Sequence, residues 1–172
     1  MSRAFVRESD VPQLPELPPL VSPLPPGARN YFTAGGARRL REELTRLLDT
    51  ERPRLAKAPA DDLDAKHELQ VLDQRIRYVQ ESLRTAEVVP PPPAEAPGVV
   101  HFGATVTVRE PDGAESRYRI VGVDETDLDR NWVSWLSPLA RALLNAKLGG
   151  RVVLQAPRGA RELVIAEIEY EG

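Results

Sequence analysis

From Ala65 to Ala86 the apolar residues Ala65, Leu69, Leu72, Ile76, Val79, Leu83 and Ala86 recur in steps that alternate four and three without a miss. That period belongs to the a/d seam of a coiled coil, so the segment is a helix that must lay one narrow stripe against another helix. A partner stripe lies just upstream: Thr33 is placed to cap a helix, and Ala37, Leu40, Leu44, Leu47 or Leu48, Glu51 and Leu55 step by three or four, interrupted only by Glu51. Pro53 removes one backbone hydrogen bond and predicts a kink or weak point, and Pro59 closes the first helix. Two such helices joined by a few residues fold back as an antiparallel hairpin with "PADDLDAKHE" at its tip. A second helix from Asp64 to Glu87 is roughly 35 Å long at about 1.5 Å per residue, more than the rest of the chain can cover. Most of the rod must therefore project into solvent or into a partner.

The flanking segments are of other kinds. Residues 1–29 carry prolines every few positions ("VPQLPELPPLVSPLPPGAR"), which exclude a helix or a central strand and predict a disordered or polyproline II arm. The arm is either a tail without a specific partner or a docking peptide for an aromatic groove. Residues 30–89 form the hairpin. Residues 90–98, within "VVPPPPAEAPG", form a stiff linker. From residue 99 to 172 the pattern changes to alternation. "ATVTVRE" and "SRYRIVGVD" flank the turn "PDGA", "NWVSWLS" is a third strand, and "RVVLQAP" and "RELVIAEIEY" flank "PRGA". One helix, "PLARALLNAK", is capped by Ser137 with Pro138 at its first position. The expected class is α+β: a helical hairpin plus an antiparallel sheet covered by one helix. On that sheet Trp132 and Trp135 stand three apart, so one should be core and the other exposed.

Composition removes several functions. A net charge of -3 and a pI near 5.5 argue against a protein that coats nucleic acid, and the lack of Cys removes disulfides and thiolate metal sites. No stretch approaches a membrane span, and the charged start "MSRAFVRESDV" is no signal peptide, so a soluble cytoplasmic protein is expected. His67 and His101 lie in different segments without HxH or HExxH spacing. "TAGGARR" follows no strand and lacks a Walker lysine, and GxSxG is absent. Nothing here indicates a self-sufficient enzyme. The tip acids Asp61, Asp62, Asp64 and Glu68 have two readings. They could offer carboxylates to a hard cation such as Mg²⁺, which keeps its other sites for water and phosphate; or Asp61 or Asp62 caps the second helix while Asp64 complements its dipole.

The ordered set "NYFTAGGARRLREEL", "ERP", "RIRYVQESL", "FGATVTV", "YRIVGVDE", "SPLARALL" and "EIEY" resembles the bacterial Gre factors, particularly their GreB-like branch, over roughly residues 30 to 170. The resemblance implies a coiled-coil domain joined to an FKBP-like domain. It further implies docking at the rim of the RNA polymerase secondary channel, and a rod whose two tip acids help hold a catalytic Mg²⁺ of the polymerase during cleavage of backtracked RNA. The polymerase remains the enzyme; the chain has no cofactor of its own, meets nascent RNA at most indirectly, and is expected as a monomer.

The same resemblance marks departures. The family tip reads like "GDLSEN" or "GDRSEN". Aligned on "DL", Asp62 matches the acid but Ala65 replaces the Glu; aligned on spacing, Asp61 and Asp64 supply the pair. The stretch from "ERP" to "RIRY" is shorter than in the family by about a dozen residues, about six per arm, which removes on the order of 9 Å of reach. Mg²⁺ contacts are about 2 Å, so cleavage stimulation is expected to be weak or lost. At the docking end Leu136 stands where the GreB branch has an acid, beside retained Ser137 and Pro138 and followed by Arg141. Arg38, Arg41 and Arg52 belong to a basic shaft that either faces RNA or is a solvated helix face. Other readings are an active cleavage factor using the tip, a coiled-coil adaptor, and an FKBP-like prolyl isomerase or chaperone, against which counts the small domain's poverty in aromatics for a proline pocket: it offers Phe102, Tyr118, Trp132, Trp135 and Tyr170.

Overall fold

In a computed structural model of the chain, residues 14–93 and 98–171 are described. Residues 1–13 of the proline arm and 94–97 of the linker lie outside them. Strand β1 (Asn30–Phe32) leads into helix α1 (Ala34–Arg46), a π-helical turn (Leu47–Glu51) and helix α2 (Arg52–Ala56). After the tip comes α3 (Leu63–Thr85), which runs directly into β2 (Ala86–Val88). Thr33 caps α1 as its sequence position predicts, its hydroxyl oxygen accepting from the Gly36 amide at 3.0 Å. The weak point expected at Pro53 takes the form of the π-turn: the Arg52 amide bonds to the Leu47 carbonyl, five residues back. Widening the ring by one residue just before a proline that has no amide lets the rod continue past it.

The seam packs as its period requires. Leu47, Leu72 and Ile76 form one buried cluster with Leu44, Leu55 and Leu69 around it, while Leu48 faces outward. Toward the base, Phe32, Ala37, Leu40 and Val79 form a second cluster. Arg52 to Asp73 at 2.7 Å and Arg75 to Glu43 at 2.7 Å clamp the two arms from outside. β1 and β2 pair in parallel and close the hairpin at its base, an element too short to leave a periodic signal.

Residues 14–29, read from sequence as a disordered or polyproline II arm, run without helix or strand until β1. They touch α3, where the side-chain amides of Gln70 and Gln74 donate to the carbonyls of Pro15 and Pro18.

The second unit is a five-stranded sheet in the order β5-β4-β3-β7-β6, with β3 (Thr105–Arg109), β4 (Glu115–Val121), β5 (Trp132–Ser134), β6 (Arg151–Ala156) and β7 (Gly159–Glu169). Helix α4 (Pro138–Leu143) covers it. The α+β class stands, with two local differences from the sequence reading. The sheet is antiparallel except at one edge, where β5 pairs with β4 in parallel. The connection from Gly122 to Asn131 carries the chain back before β5 begins, aided by the positive φ of Asn131. Helix α4 also stops well short of "PLARALLNAK". Asn145 turns left-handed at φ 67°, and residues 145–146 bond instead to the Val100 backbone, Asn145 N to Val100 O and Val100 N to Ala146 O, both at 2.8 Å. Val106, Val108, Ile120, Leu143, Leu163 and Ile165 are the centre of this core.

Candidate functional site

Tip, shaft and docking residues fall on separate surfaces. Asp61, Asp62 and Asp64 are all exposed at the hairpin end. Asp62 is the N-cap of α3, its carboxylate accepting the Ala65 amide at 2.9 Å, and Asp64 lies in the first turn, where it complements the helix dipole. Among the described residues no three His, Asp or Glu side chains gather in a way that could hold a metal ion. Asp62→Ala should therefore cost about 1 kcal/mol of hairpin stability through the lost cap, read as a lowered midpoint in thermal unfolding followed at 222 nm.

Arg38 and Arg41 are exposed on α1, beside Thr45 and Arg46. Arg52 is not with them: its guanidinium is spent on Asp73 across the hairpin through two hydrogen bonds, at 2.7 and 3.3 Å. At the other end of the molecule, Ser137 caps α4 by accepting the Ala140 amide at 3.1 Å, and the Leu136 amide donates to Ser134 Oγ at 3.1 Å. Pro138 and Arg141 are exposed beside half-buried Leu136.

What joins the rod to the sheet is a pair of adjacent acids, Asp124 and Glu125, in a single 3-10 turn (Val123–Glu125) after β4. The Glu125 side chain is 2% exposed. Its carboxylate accepts the Thr33 amide at 2.9 Å, the Gly122 amide at 3.0 Å and the Thr33 hydroxyl, with Arg39 at 3.7 Å. Asp124 accepts from the Tyr78 and Ser82 hydroxyls of α3. Burial, and then the hydrogen bond to Asp124, push the Tyr78 phenol up to about 12. Within the hairpin, Asn30 ties β1 to the end of α3, donating to Ser82 O at 3.1 Å and Thr85 Oγ1 at 3.1 Å. The base of the rod is thus held to the sheet by hydrogen bonds to two carboxylates, which are directional where an apolar contact is not.

The five aromatic residues do not line one pocket together: Phe102 and Tyr170 border a cavity that Tyr118, Trp132 and Trp135 do not line. Trp135 packs on the sheet core and on Tyr31 at 5.0 Å, and Phe102 meets the same ring at 5.7 Å. Trp132 lies under the guanidinium groups of Arg119, Arg39 and Arg130 at 4.8, 5.0 and 5.3 Å. The sequence expectation of one buried and one exposed tryptophan fails because β5 ends at Ser134, before strand alternation reaches Trp135; both rings are half-buried.

Fold and surfaces together define a presenter: a two-helix rod, latched at its base to a small sheet domain that carries a separate exposed patch of mixed chemistry at the start of α4. The model described as "Transcription elongation factor, GreA/GreB, C-term" matches residues 95–170. Transcription elongation factor GreB of Neisseria meningitidis serogroup B is 39% identical over 154 residues, covering 83% of this chain and 94% of that protein. Transcription elongation factor GreA of Alkalilimnicola ehrlichii is 42% identical over 152 residues, covering 81% and 96%. Among solved structures, the elongation factor GreA/GreB from Nitrosomonas europaea covers 83% of this chain and 99% of its own at 21% identity, with a TM-score of 0.41. The chain belongs to the GreA/GreB family of transcription elongation factors. Among the described residues, no helix is long and apolar enough to cross a membrane.

Proposed function

We propose that the chain binds RNA polymerase at the rim of its secondary channel through Leu136, Ser137, Pro138 and Arg141, and occupies the channel with the hairpin while stimulating transcript cleavage weakly or not at all. The reach of the rod carries this reading. Tyr78 and Ser82 are tied to Asp124, so only the part of α3 from Leu63 to Arg77 is free to project, about 22 Å at 1.5 Å per residue. Of the tip acids, Asp62 is engaged as a cap, and Asp61 and Asp64 remain as exposed carboxylates that would act only on a metal brought by the partner. The chain works as a monomer in the cytoplasm beside the polymerase, takes no cofactor of its own, and turns Arg38 and Arg41 toward the RNA path without reading sequence. An occupant of this kind modulates elongation by blocking the channel or by competing with cleavage-active relatives.

The test is a backtracked elongation complex supplied with Mg²⁺, scored in parallel for binding and for RNA shortening. Binding with no more shortening than polymerase alone gives, and with no change in Asp61→Ala or Asp64→Ala, is the expected result. Shortening that disappears in either variant would make the tip a cleavage tool and overturn the channel-occupant reading.

A further inference from the structure

The described part of the proline arm lies on the rod. Leu-Pro recurs at Leu14–Pro15 and Leu17–Pro18, a spacing of three that equals one turn of a polyproline II helix and turns both proline carbonyls to one side. On α3, Gln70 and Gln74 stand four apart, one helical turn, and share a face. The two repeats meet. The Gln70 side-chain amide donates to Pro15 O at 3.4 Å, and that of Gln74 donates to Pro18 O. One turn further along α3, Ser22 comes beside the Tyr78 phenol. The arm therefore runs parallel to α3, from the middle of the rod toward its base. An apolar contact accompanies these bonds: Leu14 and Leu17 are half-buried, and Glu16 and Leu17 share a hollow with Gln70, Asp73, Gln74 and Arg77.

This contact is built to open. Proline has no amide, so at Pro15 and Pro18 the arm offers only acceptors, and each bond joins two neutral groups. Closure also leaves the Gln70 amide oxygen buried without a partner among the described residues, an acceptor that water satisfies once the arm lifts. A preformed polyproline strand gives up little chain entropy when it closes again. The covered face belongs to the part of α3 that projects, because the ties at Tyr78 and Ser82 leave Leu63 to Arg77 free and the arm lies on Gln70 to Arg77. A partner that surrounds the hairpin must take this face from the arm.

We infer that residues 14–22 are a strap that closes on α3 in the free protein and lifts when the hairpin enters the polymerase, an inference that rests on the channel reading and adds a control to it. Arm and polymerase compete for one helix face, so a strap closed about nine-tenths of the time lowers the apparent affinity about tenfold.

Two sets of full-length variants test it. Leu17→Asp removes the apolar contact and sets a carboxylate beside Asp73, so it should release the strap and tighten binding to RNA polymerase by up to about tenfold. The chain has no Cys, so Glu16→Cys with Arg77→Cys supplies a unique pair for a short bis-maleimide. The pair should join within one chain at a yield independent of protein concentration and lowered by added Leu17→Asp. Once joined, the chain should bind polymerase about tenfold or more weakly than the same variant left unjoined. Failure of the pair to join within one chain, or equal polymerase affinity in the parent, released and joined forms, overturns the strap and leaves the channel reading standing. No polymerase binding by any form, Leu17→Asp included, overturns the channel reading and the strap's control with it.

Discussion

Ile76→Asp should abolish the hairpin as a stable element, whereas Val71→Asp, five residues earlier on the same helix, should leave it nearly intact. Ile76 is 6% exposed and packs against Leu47 and Leu72; Val71 is 45% exposed on the outer face. Both variants place the same charge on α3 and lose the same kind of helix propensity, so their difference isolates the seam. At position 76 the chain loses about 1.5–3 kcal/mol of apolar burial. The carboxylate must also either stay between the helices without a partner or force them apart, which brings the cost to roughly 4 kcal/mol or more. A unit of about 60 residues shifts by about 4–8 °C per kcal/mol, so the helical transition at 222 nm should fall by about 15 °C or more. Val71→Asp should stay within about 0.5 kcal/mol of the parent. Equal behaviour of the two variants, or full helical signal retained in Ile76→Asp at the parent's melting temperature, would refute the antiparallel seam.

That seam was legible because coiled-coil packing is written in local spacing: one period settles which side of α3 is buried and leaves Leu72, Ile76 and Val79 inside. The first helix is less completely legible: its spacing admits either Leu47 or Leu48, and it takes the π-turn ahead of Pro53 to put Leu47 in the seam and Leu48 outside. Local spacing has no access to the rest. The parallel pairing of β5 depends on where a ten-residue connection returns, and strand alternation is the same for either direction. The early end of α4 depends on a bond from Asn145 to Val100, and the helix period of "PLARALLNAK" carries no sign of it. Family resemblance suggests residues for a tip, a shaft and a docking surface, yet not how their charges are engaged: Arg52, expected on a free basic shaft, is held by Asp73. The latch escaped entirely. Asp124 and Glu125 read as two ordinary acids after a strand, because their partners Thr33, Tyr78 and Ser82 lie 42 to 92 positions away.

Gly36→Ala exposes that latch most sharply, because local and tertiary effects predict opposite signs. In a helix interior the change from Gly to Ala stabilises by about 1 kcal/mol. Here the new Cβ would stand 1.7 Å from Glu125 Oε1, 2.1 Å from its Cδ and 2.6 Å from its Cγ. The carboxylate has nowhere to go: it is hydrogen-bonded to the Thr33 and Gly122 amides, and a Cβ on Gly122 itself would already stand 2.1 Å from the Tyr31 carbonyl oxygen. Expelling it strands two buried amides and the Thr33 hydroxyl, at about 1–3 kcal/mol for each unsatisfied group. The tertiary term wins, and a net loss of about 2 kcal/mol or more is expected in denaturant unfolding. In a Glu125→Ala background the obstacle is gone, and the same Gly36→Ala change should become neutral or stabilising, a coupling of about 3 kcal/mol in the double-mutant cycle. Stabilisation by Gly36→Ala in the parent chain would mean that rod and sheet are not held at this approach. If the cycle closes as expected, Gly36 is where the rod's direction is set: a side chain of any size there pushes α1 off Glu125, and every ångström of tilt at the base is multiplied along about 22 Å of free helix before it reaches the tip.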